Sequence, residues 1–423
     1  MKYKIVGGTV FLIQNDLFVP VETDLYVADG KIVKVGALPS DEGYEKVDAK
    51  GLFVIPGLIN MHTHAYMSFM RGYADDRSFD DWLFRRVMPV EDKMTGEDAY
   101  WSTLFGCMEM ISTGTTAFTD MHMFAGYVPR AVQDAGMRAY LGRGLVGTDI
   151  TGDGASRLKE ALAERDEYTS DRVKFLLAPH AIYTCSSKFL TQVAELAASL
   201  GVPKQIHLAE SDFEHAECVK QHGVSPVEYL SSLGFLDDKT ILAHCVKVSD
   251  KDINLLAESG AHVVTNPASN AKLGNGFAPV PKMLARGVNV CLGTDGAASN
   301  NTQNLFHEMT FFSLLQKAVT ASPLTASAQE VLRMVTLAPA RALGENVGRI
   351  EEGALADLTF LDKSALSLFP ANDPVASLVY SANGSEVDSV MIGGEFVMRK
   401  KEFTKIDREK VLYEADRIAK KYL

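Results

Sequence analysis

Four histidines and two carboxylates, each at the end of an apolar run, are the residues here whose types and spacing suit chemistry. Two of them sit in His62-Thr-His64, directly after Pro56-Gly-Leu-Ile-Asn-Met61. Side chains alternate along an extended chain, so His62 and His64 face one side and offer two imidazole nitrogens to one cation. The pair alone would as readily be two surface histidines; its place after an apolar strand and the Pro56–Gly57 turn favours a metal clamp. His207, in Gln205-Ile-His-Leu-Ala-Glu210, offers a third nitrogen. Glu210 lies just past that strand end, where a carboxylate can approach the cation without binding it and move protons in a hydrolysis. Capping the next helix is its alternative use. Asp295, in Leu292-Gly-Thr-Asp-Gly296, suits a fourth ligand that also acts as a base toward water, with a helix N-cap as its alternative. His244 ends Thr240-Ile-Leu-Ala-His244 and suits a hydrogen bond to the attacking oxygen or the developing alkoxide. Three histidines and one carboxylate fit one divalent cation with an open position, Zn²⁺ foremost, and Fe²⁺ or Mn²⁺ by the same ligand types. A second cation would call for an extra bridging carboxylate or a modified lysine ending the fourth strand. That strand ends in Ala178-Pro-His180, with Lys174 at its start.

Positioning these residues requires an alternation of strands and helices. Between 57 and 345 the candidate strands end near His62, Asp120, Gly144, His180, His207, His244, Asn266 and Asp295. Amphipathic helices lie between several of them. One runs from an N-cap at Ser187 to Leu200 before Gly201, with Phe189, Leu190, Val193 and Ala197 on one face; another runs from Ser249 to Gly260. Eight strands at this spacing favour a closed (β/α)8 TIM barrel, whose strand C-termini form the active-site mouth. His62, His64, Asp120, Arg143, His180, His207, His244, Asn266 and Asp295 are expected to converge there. The two ends read differently. Lys4–Leu12, Asp24–Ala28 and Lys31–Val35 are candidate strands with turns at Gly7–Gly8 and Asp29–Gly30. The tail repeats the pattern, with a strand near Leu361 and a hairpin from Val387 to Met398 that turns at Gly393–Gly394. Residues 1–56 and 346–423 are therefore expected to build one small β domain beside a 57–345 barrel, since isolated short strands pair poorly.

Composition narrows the function classes. The 423 residues are 47% hydrophobic and 23% charged, enough for a large core that needs no disulfide or structural metal. A net charge of −12 without a basic stripe argues against nucleic acid. The five cysteines form no C-x-x-C pair, as in a reducing compartment. The first residues are too polar for a signal peptide, and no apolar run approaches the ~20 residues that span a bilayer. A cytoplasmic protein with no membrane partner is expected, acting on a small molecule and assembled as a homo-oligomer.

Taken together, Pro56–His64, His207-Leu-Ala-Glu210, His244, Gly293-Thr-Asp-Gly296 and the tail Gly348-Arg-Ile-Glu-Glu-Gly-Ala-Leu-Ala-Asp357-Leu resemble the amidohydrolase superfamily in its cytosine-deaminase-like branch, over nearly the whole chain. Trp82, in Phe79-Asp-Asp-Trp-Leu, and Glu91, in Met88-Pro-Val-Glu91, are similar to the pattern of the 5-methylthioadenosine/S-adenosylhomocysteine deaminases. The resemblance implies a barrel beside a β-sandwich made of both chain ends. It implies that Glu91 holds ribose hydroxyls, Trp82 packs on the ligand, His180 contacts the purine and Arg143 holds the 5′ extension. Trp82 as core and Glu91 as a helix cap are the plainer uses. The implied reaction is hydrolytic deamination of the adenine ring of 5′-substituted adenosines (5′-methylthioadenosine, S-adenosylhomocysteine, 5′-deoxyadenosine, adenosine), with Glu210 as proton shuttle. The loop Gly147–Ser156 lacks the arginine with which family members hold a homocysteine carboxylate, leaving Arg157 as the candidate and S-adenosylhomocysteine as an expected poorer substrate. Deamination of guanine, cytosine or an s-triazine would need no Glu91. An inactive scaffold would lack a ligand or the shuttle, and neither is missing.

Overall fold

The computed structural model describes residues 1–423. Its N-terminal strands are β1 (Lys2–Gln14), β2 (Leu17–Ala28), β3 (Lys31–Val35), β4 (Glu45–Asp48) and β5 (Leu52–Pro56). β1 and β2 are longer than the sequence pattern suggests, because their hairpin keeps pairing out to Gln14 opposite Leu17. Gly7–Gly8, expected to be a turn, is instead a bulge inside β1: the register shifts between Ile5 and Gly8, and Gly7 takes a left-handed φ of 73° that places one extra residue in the strand.

The middle of the chain supplies β6 (Leu58–Thr63), β7 (Thr115–His122), β8 (Arg138–Leu145), β9 (Val173–Phe175), β10 (Ala178–Pro179), β11 (Lys204–Leu208), β12 (Thr240–His244), β13 (His262–Thr265) and β14 (Asn289–Leu292). They form two all-parallel sheets, β6-β7-β8-β10 with β9 also on β8, and β11-β12-β13-β14. Every residue of β7, β8, β11, β12 and β13 is buried, as expected of parallel strands covered on both faces. Backbone bonds also cross the two seams between the sheets. Gln205 N–H donates to Leu177 O (2.9 Å) and His207 N–H to His180 O (3.1 Å), while Asp295 N–H donates to His62 O (2.9 Å). A single apolar cluster joins side chains of both sheets, among them Met61, Ala117, Tyr140, Ile241, Val264 and Cys291.

The C-terminal strands are β15 (Leu358–Asp362), β16 (Val387–Ile392), β17 (Glu395–Arg399) and β18 (Glu402–Phe403). β15 pairs antiparallel with β5, so strands from both ends share one nine-stranded sheet in the order β18-β17-β16-β15-β5-β1-β2-β3, with β4 beside β1. Arg138 of β8 and Asp357, just before β15, form a buried two-pronged ion pair (Nε–Oδ2 2.7 Å, Nη2–Oδ1 3.2 Å). Asp357 Oδ1 also accepts from Gly393 N–H at 2.6 Å.

The helix read from the sequence at Ser187 spans Ser187–Leu200 and stops at Gly201, but its N-cap is Ser186: that residue is extended and its hydroxyl accepts from Phe189 N–H. The Asp250–Ser259 helix opens with a capping box between Ser249 and Asp252. All five cysteines are free and buried, and no helix is long and apolar enough to cross a membrane.

Candidate active site

Strand ends from both parallel sheets surround one cavity of about 580 Å³. Four non-glycine residues at these ends, Ala209, His244, Cys245 and Asp295, hold left-handed φ values between 48° and 76°. Each bends the chain where a strand would otherwise run straight, a strain that surrounding packing must hold in place.

His64 Nδ1–H donates to Met121 O and His207 Nδ1–H to His180 O, both at 2.7 Å. A carbonyl only accepts, so each ring turns a bare Nε2 inward, and these two nitrogens lie 3.3 Å apart. His62 is fully buried and neither of its ring nitrogens has a hydrogen-bond partner. One nitrogen from each of His62, His64 and His207 fits within 4.8 Å of the others. Asp295 Oδ1 lies 3.5 Å from His62 Nε2 and 3.4 Å from His64 Nε2. Lone pairs facing each other in a buried space, beside a carboxylate, fit a divalent cation at the usual 2.0–2.2 Å from N and O. Burial pushes His62 down to about 4 and His207 well below its ordinary value, which favours the neutral, ligating form. For Asp295 burial works upward, but the neighbouring imidazoles of His62, His64 and His244 prevail and hold it well below the usual carboxylate range.

Asp295 is not the cap of the next helix, whose N-cap is Gly296; its Oδ2 accepts from Ser269 (2.7 Å) and Ser299 (3.0 Å). Nor does Glu210 cap the following helix, a task done by Ser211. Glu210 Oε2 faces His244 Nε2 at 3.7 Å, and burial raises the Glu210 carboxyl. His244 Nδ1–H donates to Asn270 Oδ1 at 2.8 Å. Burial opposes its charge, yet Glu210 and Asp295 prevail and raise its pKa.

Trp82, Glu91, Arg143, His180 and Arg157 all line the same cavity. Trp82 lies on a π-helical segment, Asp81–Val87, and its Nε1–H donates to Ala298 O at 2.9 Å. Glu91 ends the short helix Met88–Glu91 and accepts the hydroxyl of Tyr66. Arg143 Nε donates to Glu160 at 2.9 Å. His180 Nδ1 is 3.1 Å from the Thr184 hydroxyl, and burial pushes it to about 4. Arg157 stands on the helix Ala155–Tyr168, not in the loop before it, and Nη1 donates to Gly144 O at 3.4 Å. Asp120 and Asn266 do not line the cavity. Asp120 accepts from Thr63 Oγ1 and Ala65 N–H, both at 2.6 Å, and Asn266 Nδ2 lies 3.2 Å from His244 Nδ1; they buttress the chain beneath the histidines. The sequence reading did not single out Tyr66, Phe124 or Tyr183, which also line the cavity. The available signal was proximity: Tyr66 is two residues past His64 and Tyr183 three past His180.

The amidohydrolase family model matches residues 53–397. A 5-methylthioadenosine/S-adenosylhomocysteine deaminase of Thermoanaerobacter pseudethanolicus is 40% identical over 404 residues, covering 94% of each chain. A 5′-deoxyadenosine deaminase of Methanosarcina mazei is 41% identical over 396 residues, covering 93% of this chain and 92% of that one. Among solved structures, an adenosine deaminase from Xanthomonas campestris with bound zinc superimposes with a TM-score of 0.93 at 30% identity, covering 99% of this chain and 98% of that one. Such identity over nearly the full length, and a family match that spans every strand end around the cavity, make this chain a member of the amidohydrolase family.

Proposed function

We propose that the chain catalyses hydrolytic deamination of the adenine ring of 5′-substituted adenosines, 5′-methylthioadenosine, 5′-deoxyadenosine, adenosine and S-adenosylhomocysteine, giving the inosine analogue and ammonia. The observation that carries this reading is Glu210. Its carboxylate faces His244 Nε2 at 3.7 Å, outside the cluster of His62, His64 and His207, and lines a cavity that also holds Glu91 and Trp82. The names of relatives about 40% identical support the same reaction and substrate class. We further infer that the two parallel sheets close into a (β/α)8 barrel spanning 57–345, supported by the bonds across both seams, and that residues 1–56 and 346–423 form the small β-sandwich domain beside it.

In this reading His62, His64, His207 and Asp295 hold one divalent cation, Zn²⁺ foremost. When bound, it supplies Lewis acidity that brings water's proton within reach of a carboxylate. Glu210 takes that proton and gives it to ring N1, making C6 more open to attack. His244 and Asp295 flank the new oxygen and steady it by hydrogen bonding. With the water oxygen bonded to C6, Glu210 takes the remaining proton from that hydroxyl and delivers it to the amine; the C6–N bond breaks, ammonia leaves and the C6 carbonyl forms. Glu91 accepts from the vicinal ribose hydroxyls and Trp82 offers an aromatic plane. His180 Nε2 faces the purine edge. Arg157 places a guanidinium on the cavity wall where the Gly147–Ser156 loop has none, which keeps an amino-acid tail within the substrate range.

The test is ammonia release by the purified, metal-loaded protein from the four nucleosides and from free adenine, guanine and cytosine. Turnover of the nucleosides well above free adenine is expected. Equal turnover of adenine, or ammonia from guanine or cytosine alone, would overturn the nucleoside assignment.

A further inference from the structure

One short stretch of chain touches all three groups that handle protons in the cavity. From the helix Pro267–Lys272, Ser269 donates to Asp295 Oδ2 (2.7 Å) and Asn270 Oδ1 accepts from His244 Nδ1 (2.8 Å). Just beyond it, Asn275 Nδ2 donates to Glu210 Oε1 at 3.1 Å. Asn275 is buried, and its backbone N–H returns to Asn270 O at 2.9 Å. It stands between Gly274 and Gly276, with φ of 71° and 98°. A Cβ at Gly274 would meet nothing within 4 Å, and one at Gly276 only Val246 Cγ1 at 3.7 Å. The backbone path, not a lack of space, therefore calls for glycine at both positions. Left-handed residues on either side of 275 turn it back against Glu210.

We propose that Asn275 is a positioning residue for proton transfer by Glu210. A glutamate carboxylate rotates freely about its last bond unless one oxygen is engaged. Asn275 engages Oε1, so Oε2 is the oxygen left facing His244 Nε2 at 3.7 Å and the reacting atoms. The backbone of the same residue is fixed too, since Glu210 N–H donates to Glu214 Oε2 at 2.8 Å. The donor is also of suitable chemistry. A lysine or arginine in its place would form an ion pair and weaken the carboxylate as a base, and a water would let it rotate. A neutral amide does neither.

The inference rests on Glu210 being the proton carrier, so Glu210→Gln is measured alongside. Asn275→Asp keeps the shape and removes the donor; Asn275→Ala removes the side chain without adding charge. Each is purified, and its metal content and its steady-state kinetics on 5′-deoxyadenosine are compared with the parent. Both variants are expected to keep one metal per chain and a KM within about twofold, and to lose roughly 100-fold in kcat. A kcat within about twofold of the parent in both variants, while Glu210→Gln is inactive, would overturn the inference and leave the proposed function standing. A loss confined to KM, or loss of the metal with the activity, would also overturn it, because either would make Asn275 a packing residue. Undiminished turnover by Glu210→Gln would instead refute the proposed function itself.

Discussion

Removing the Asp357 carboxylate should destabilise the protein more than any change at the cavity mouth. Arg138 and Asp357 are 3% and 2% exposed and joined by two hydrogen bonds, and Asp357 also takes the Gly393 N–H. Asp357→Leu leaves a buried guanidinium with only the Asp171 carbonyl (2.8 Å from Nη1) and strands the Gly393 N–H, whereas Arg138→Leu leaves Asp357 still bonded to Gly393. Breaking a buried pair from one side costs about 3–5 kcal/mol. With 423 residues and about 2.1 cal/mol/K of unfolding entropy each, the whole chain carries about 0.9 kcal/mol/K, so Asp357→Leu should lower Tm by about 3–6 °C. Arg138→Leu should fall short of that. The double variant should lose less than the two singles added together, since an apolar pair of similar volume can replace a buried ion pair at little cost. Thermal unfolding followed by circular dichroism measures all three. A Tm change under about 1 °C for Asp357→Leu, or strict additivity in the double variant, would refute the reasoning.

Glu210→Gln should retain its bound metal and lose between about 10² and 10⁴ in turnover, checked by metal analysis and ammonia release; near-normal rates would remove it from the mechanism. Dialysis against a chelator should abolish activity and Zn²⁺ should restore it, and a chelated protein that stays active would contradict the ligand set of His62, His64, His207 and Asp295. Trp82 lines the cavity and the other tryptophan, Trp101, does not, so a bound nucleoside should change the fluorescence of Trp101→Phe as much as that of the parent. Burial raises Glu164 from 4.5 to about 8, so the folded chain holds a proton there that the unfolded chain has released. Stability should therefore fall as pH rises from about 4.5 to about 8, and Glu164→Gln should flatten that slope in urea titrations at successive pH values. An unchanged slope would mean that the Glu164 carboxyl is already ionised in the fold.

Residues on strand ends were legible because the strand period does the geometry. His62 and His64 had to share a face, and the apolar stretches within β11, β12 and β13 lead to His207, His244 and Asn266 at or next to the strand ends. Placement off the strands was harder to read. The loop expected to run to Ser156 gives way to helix at Ala155, because the N-cap, Gly154, has no side chain to announce the start. Ser186 and Ser187 are adjacent serines, and only the φ/ψ of the first selects it as the cap. Gly7–Gly8 has the composition of a turn, yet cross-strand pairing on both flanks absorbs it as a bulge. Asn275 carries no periodic signal at all. It lies in a short turn whose direction depends on two left-handed glycines and on a carboxylate 65 residues earlier in the chain.

The pairing of β5 with β15 puts Leu358 opposite Pro56, about 300 residues apart in order of synthesis. At 5–20 residues per second the ribosome needs on the order of 15–60 s to deliver the missing partner. Until then the nascent chain displays β5 with one row of amides and carbonyls unclaimed, the kind of edge that recruits neighbouring chains. The newborn polypeptide is thus most vulnerable to aggregation during translation, and the last strands to emerge are the ones that close it.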